Sequence, residues 1–209
     1  MTGRQIQEAL ADISREQDPA VKSLKLASVC SSVFRERGID LVLVGGSAIE
    51  FFTEGAYTSG DVDLCVVSAK TPLNARLRQA LMAQLGAVGG PRSWQVADAF
   101  IDILGPFENL ALTAVRKVGV PYGEVWVSPP EELLVERVLV SVYPEPYAPA
   151  REAANKLAGA ALSGELEIDW NEGKRLASLP AYGNWPAVKA LINEEAKTLK
   201  NRSPYDPDE

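Results

Sequence analysis

Two short strand-like runs, "IDLVLVGG" from Ile39 and "DVDLCVV" from Asp61, lie between stretches whose apolar residues recur at three-and-four spacing. A run of that length that is apolar on both faces needs cover on both sides, so the alternation calls for a sheet flanked by helices. Residues 3–15 (Ile6, Leu10, Ile13) and 18–37 (Val21, Leu24, Leu26, Val29, Val33) are expected to be helices, the second stopped by Gly38. "SAIEFFTEG" reads as a short helical unit closed by Gly55. A further helix over 72–85 is expected to begin at Thr71-Pro72, in the manner of an N-cap and first helical residue, and to end at Gly86.

Three more strand-type segments follow, "WQVADAFIDIL", "LALTAVRKVGV" and "GEVWVS", separated by "GPFEN" and "PYG" turns. After Ser128-Pro129-Pro130 the pattern becomes helical, over 131–142, 148–163, 172–179 and 186–199, before a polar tail, "NRSPYDPDE", that is expected to be loose. The expected fold class is α+β, an α/β mixed sheet of about four to five strands. The core with its N-terminal helices would span residues 1–128 and a C-terminal helical lobe 129–209.

The chain has 209 residues, a formal net charge of -7 and no histidine. The charge argues against a broad basic face for gripping a nucleic-acid backbone. The missing histidine removes Ser-His-Asp and Cys-His catalysis, histidine zinc sites and the usual neutral-pH acid and base. Only Cys30 and Cys65 are present, which reads as two buried thiols and no disulfide framework. The start lacks the apolar core of a signal peptide, and no run approaches the ~20 apolar residues that span a bilayer, so no membrane contact and a cytoplasmic location are expected.

What chemistry remains is concentrated in "LVGGSAIEFFTEGAYTSGDVDL", residues 43–64. Asp61 and Asp63, two apart on a strand, project from one face while Val62 and Leu64 enter the core. Two like charges at that spacing ask for a positive partner, and a divalent cation is the simplest. Mg²⁺ characteristically takes one or two carboxylates and completes its shell with water and substrate phosphates. Gly45 and Gly46, at a strand-to-helix turn, let phosphate oxygens approach backbone N–H groups, and Ser47 adds a hydroxyl. A third acid, Asp102, sits in the apolar run "AFIDIL", where an unpaired carboxylate carries a heavy desolvation penalty. If its strand neighbours that of Asp61 and Asp63, three acids converge.

"GGS" on a strand-to-helix turn, "DVD" on the next strand and an isolated acid on a later one together resemble the DNA polymerase β-type nucleotidyltransferase superfamily. "VGGSAIEFFTEGAYTSGDVDL", "GPFENLAL" and "SPPEELLVERV" are similar to small nucleotidyltransferase-like proteins related to the toxin components of AbiE-type toxin–antitoxin systems. The similarity runs over about residues 40–140, and more faintly to about 195. It implies a nucleotidyltransferase-type core and transfer of a nucleoside monophosphate from a nucleoside triphosphate to a hydroxyl acceptor. That acceptor would be an RNA or tRNA end or a protein side chain, with Mg²⁺ or Mn²⁺ as cofactor. Gly45, Gly46 and Ser47 would then hold the triphosphate, Asp61 and Asp63 the metals, and Asp102 the second metal and the acceptor hydroxyl. Arg137 stands where relatives carry a basic residue that meets the triphosphate, and pairing with Glu132 or Glu136 is the alternative. The R-x-x-D element of toxin-like relatives is incomplete here, since "REAAN" ends on Asn155. An antitoxin protein is the further partner the resemblance suggests.

Each feature has an ordinary reading as well. "GGS" alone is a turn, and "DVD" alone a strand edge or Asx turn. Asp98 lies close enough to Asp102 for a register change to exchange them. Glu50 is expected to face solvent or cap a neighbour. Arg76, Arg78, Arg92, Arg116 and Lys117 read as a solvated surface, and the four tryptophans as isolated packing residues. A catalytically inactive nucleotide- or protein-binding module on the same fold is the second hypothesis. An antibiotic nucleotidyltransferase, with an acidic cleft for a cationic drug, is the third.

Overall fold

The computed structural model describes residues 1–70 and 72–205. The chain divides into two compact units, one comprising Met1–Phe51, Thr58–Glu108 and Val115–Ser128, the other Phe52–Tyr57, Asn109–Ala114 and Pro129–Glu209. Together they give a mixed α/β fold, and the first unit carries its seven-stranded sheet.

In the first unit, α1 (Gly3–Ile13) starts at Thr2, whose side chain accepts from Gln5 N–H while the Gln5 side chain returns to the Thr2 backbone. Ile6, Ala9, Leu10 and Ile13 form its buried face. Asp18 caps α2 (Pro19–Arg35), with Pro19 fitted to the first turn. Then come β1 (Ile39–Val44), α3 (Gly45–Phe52), β2 (Asp61–Ala69), α4 (Ala75–Gln84), β3 (Val88–Gly89), β4 (Ser93–Val96), β5 (Ala99–Pro106), β6 (Arg116–Val120) and β7 (Gly123–Val127). The strand order is β3-β4-β5-β2-β1-β7-β6. β2 runs antiparallel to β1 but parallel to β5, and β1 runs parallel to β7. Central β1 is buried at every position but Asp40, as its otherwise apolar sequence requires.

Seven strands exceed the four to five expected, partly because "WQVADAFIDIL" is a hairpin of β4 and β5. Ala97, at φ +55°, turns the chain without a glycine or asparagine to announce it. Helix α4 begins at Asn74, whose side chain accepts from Leu77 N–H at 2.9 Å, rather than at Thr71-Pro72. Thr71 itself lies outside the described residues. Of the expected strand "LALTAVRKVGV" only residues 116–120 are β. The segment before them belongs to the second unit, where side chains rather than a neighbouring strand take its N–H groups. Cys30 is buried but Cys65 is only half-buried, because alternate positions of β2 face away from the core.

The second unit is built from α5 (Pro130–Val142), α6 (Ala148–Leu162), α7 (Trp170–Ser178) and α8 (Trp185–Leu199). Leu133, Leu134, Leu157, Leu176, Val188 and Leu191 are among its buried side chains. The tail is docked as far as Tyr205: Ser203 donates to Asn193 at 2.6 Å, and Tyr205 Oη donates to the Trp170 carbonyl at 2.9 Å. The Tyr205 ring meets Trp170 and Trp185 edge-on at centroid distances of 5.7 and 4.7 Å, so those two tryptophans are not isolated. The rest of the expected loose tail, 206–209, lies outside the described residues.

Candidate active site

The parallel pairing of β2 with β5 sets Asp63 directly opposite Asp102 and Asp61 opposite Phe100. Side chains directly opposite in a ladder share a face, so three carboxylates stand together. Asp61, Asp63 and Asp102 each offer an oxygen, all within 4.8 Å of one another, with Asp61 exposed and the other two half-buried. The intervening Val62, Leu64, Ile101 and Ile103 point the other way and are almost wholly buried. The same alternation that fills the core therefore gathers the acids. Three hard oxygen donors at this spacing suit a divalent cation. Asp98 stays apart, in the β4–β5 turn, where Lys22 Nζ lies 2.5 Å away and holds its carboxyl below the usual range.

Gly45, Gly46 and Ser47 form the first turn of α3, and all three are buried. Gly45 adopts φ +64°, and a Cβ there would lie 2.3 Å from Asp63 Oδ2. Glycine at this position is what lets the carboxylate rest against the turn. Ser47, 1% exposed, donates to the Val44 carbonyl at 3.4 Å and accepts from Asp63 N–H at 3.3 Å. Its hydroxyl thus ties the start of α3 to the strand that bears the acids.

Glu50 departs from expectation in part. It is fully buried rather than solvent-facing, and it caps neighbours by accepting from Ser23 Oγ at 3.2 Å and from the Ser59 backbone. Burial pushes its pKa up. The apolar residues on either side of it hinted at burial, but Ser23 is too distant in sequence to be foreseen as its partner.

Arg137 lies in the second unit, with Nη2 4.0 Å from Glu136. Glu132, the other anticipated partner, instead accepts from Leu110 N–H at 3.4 Å and from Tyr182 Oη. Arg151 pairs with Glu194 at 2.6 Å. Sequence reasoning missed a wider carboxylate network here. Glu131 accepts from Asp169 N–H at 2.8 Å and Thr113 Oγ1 at 3.1 Å, while Glu172 accepts from Leu112 N–H and Arg175 Nε, both at 2.6 Å. Glu131 and Glu132 look like the solvated acids that often open a helix, and no local signal marks them otherwise.

No family model matches this chain, and no curated protein matches it by sequence. Among solved structures, an antigenic nucleotidyltransferase-like protein from Paracoccidioides brasiliensis is similar over 85% of this chain and 93% of its own, with a TM-score of 0.54 and 15% identity. The antibiotic-resistance factor ANT(2'')-Ia aligns in its solution structure over 86% of this chain and 92% of its own, at 14% identity and a TM-score of 0.46. In complex with adenylyl-2''-tobramycin it aligns over 81% and 94%, at 14% and 0.44. Those last two scores are too low to bear on this chain's chemistry. The fold is that of nucleotidyltransferase-like proteins, and no helix among the described residues is long and apolar enough to cross a membrane.

Proposed function

We propose that this chain is a metal-dependent nucleotidyltransferase, moving a nucleoside monophosphate from a nucleoside triphosphate to a hydroxyl of an RNA or tRNA end or a protein side chain. One observation carries the reading: the Asp63 carboxylate lies against Gly45, so the first turn of α3 and the three acids occupy one place. A helix start offers N–H groups and a favourable dipole to phosphate oxygens, and clustered carboxylates offer ligands to the cation that accompanies them.

Asp61, Asp63 and Asp102 would hold Mg²⁺ or Mn²⁺, which would supply positive charge to offset that on the triphosphate and the departing pyrophosphate. Asp102 takes the proton of the acceptor hydroxyl as its oxygen bonds to the α-phosphorus, and pyrophosphate departs. Gly45 and Gly46 orient the phosphates, and Ser47 fixes the strand that bears Asp63. A toxin role with an antitoxin partner belongs to the same reading and is supported by the resemblance of residues 44–64, 105–112 and 128–138 alone.

The test titrates each nucleoside triphosphate with and without Mg²⁺, by calorimetry, on the parent and on Asp61→Ala, and follows pyrophosphate release. Mg²⁺-dependent binding that disappears in Asp61→Ala, with pyrophosphate released by the parent alone, supports the reading. Saturable nucleotide binding without pyrophosphate release in the presence of any acceptor would leave a catalytically inactive nucleotide-binding module. Absence of binding by the parent at millimolar nucleotide refutes the site altogether.

A further inference from the structure

The acids stand on one face of the strip formed by β4, β5 and β2, and they share that face with an aromatic ring. Phe100 is directly opposite Asp61 on one side and Gln95 on the other, and Ser93 is opposite Asp102. Val62, Ile101 and Trp94, on the reverse face, are at most 2% exposed, whereas Phe100 is 53% exposed. A phenyl ring left half in water beside carboxylates contributes little to the core. Its strand needs apolar residues only at alternate positions, and Ile101 and Ile103 already provide them.

We infer that Phe100 is the platform on which the base of the acceptor's terminal nucleoside stacks, which makes it a specificity-determining residue; this rests on the nucleotidyl-transfer reading above. The side of the site from which the acceptor comes follows from the strand order. Gly45 continues from β1, on one flank of Asp63, while Phe100 and Asp102 lie on β5, on the other. In-line displacement puts the attacking oxygen and the leaving pyrophosphate on opposite sides of the phosphorus. With the triphosphate tail against Gly45, attack comes from the β5 side.

The size of the acceptor follows from spacing. Phe100 and Asp102 are two residues apart on one strand, about 6.6 Å at a rise of ~3.3 Å per residue. A ring stacked over Phe100 must present its hydroxyl about that far from its own centre. A nucleoside does so across its sugar, whereas a phenol, with the oxygen on the ring itself, falls short. The net charge of -7 fits a contact made through one stacked base rather than along a phosphate backbone.

The probe is a six-nucleotide single-stranded RNA with 2-aminopurine as its 3′-terminal base, whose fluorescence falls on stacking, titrated in Mg²⁺ into the full chain, Phe100→Ala and Phe100→Trp. We expect quenching with the parent, binding roughly 5- to 150-fold weaker and unquenched with Phe100→Ala, as one base–aromatic stack is worth, and recovery with Phe100→Trp. Mg²⁺–nucleotide affinity should be the same in all three, and RNA affinity should fall only shallowly with salt. Equal RNA binding and quenching by parent and Phe100→Ala overturns the inference. So does a parent that binds Mg²⁺–nucleotide but not the RNA, which leaves nucleotidyl transfer standing with another acceptor. Weakened nucleotide binding by Phe100→Ala would assign the ring to the donor and likewise overturn it. A parent that binds neither refutes the function and this subsite together.

Discussion

Gly45→Ala isolates the close approach on which the proposed site depends. The backbone there is at φ +64°, a conformation that costs an L-residue about 1–2 kcal/mol. The added methyl would also fall 2.3 Å from Asp63 Oδ2, closer than two such atoms can stand, so the short Asp63 side chain must leave its rotamer, at about 0.5–1.5 kcal/mol. Gly86→Ala is the matched control, with φ +65° and open space around the new methyl. It pays the backbone cost of about 1–2 kcal/mol alone. Urea unfolding should therefore place Gly45→Ala about 0.5–1.5 kcal/mol below Gly86→Ala. Calorimetry should show Mg²⁺-dependent nucleotide binding weakened roughly 10- to 100-fold in Gly45→Ala only, the usual consequence of disturbing a metal ligand's support. Equal stability of the two variants, with binding unchanged in both, would refute the claim that Gly45 is glycine for the sake of Asp63.

Ser47→Ala removes a buried hydroxyl that accepts from Asp63 N–H, and should lower stability by about 1–3 kcal/mol in the same urea assay. Glu132 gives a pH signature. Burial raises its pKa above the ordinary 4.5, so its contribution to stability is complete below that value and is lost as pH rises through the folded-state pKa. The urea midpoint of Glu132→Gln should accordingly improve relative to the parent as pH is raised from 4.5 toward neutrality, and a constant difference across that range would contradict the assignment.

Where the physics is local, the sequence was legible. Apolar residues at three-and-four spacing running up to Gly38 mark a helix, and a run that is apolar but for Asp40 makes a central strand. The spacing of Asp61 and Asp63 placed them on one face because strand geometry leaves no other choice. The hairpin at Ala97 was hidden because a non-glycine residue takes the left-handed turn and no composition change marks it. The start of α4 differs because Asn74, three residues beyond Thr71, caps the helix by accepting from Leu77 N–H, and asparagine is as good an N-cap as threonine. Glu50 and the acids of α5 were opaque for a different reason: whether a carboxylate is solvated or capped depends on N–H and hydroxyl groups that arrive from far along the chain. Asp102 was intermediate, since its apolar setting singled it out while its partnership with Asp63 depended on which strands became neighbours.

That partnership has a kinetic side. Because β2 and β5 run parallel, no tight turn can join them, and the intervening chain must cross over before the ladder closes. Closing that ladder brings three carboxylates together. In the absence of divalent ions Asp102→Asn should therefore unfold at a higher urea midpoint than the parent, since it removes one of three neighbouring like charges. If the three acids hold a divalent ion as proposed, retaining Asp102 would make the sheet's stability depend on cation concentration, so that the ion would act on the folding equilibrium before any substrate arrives.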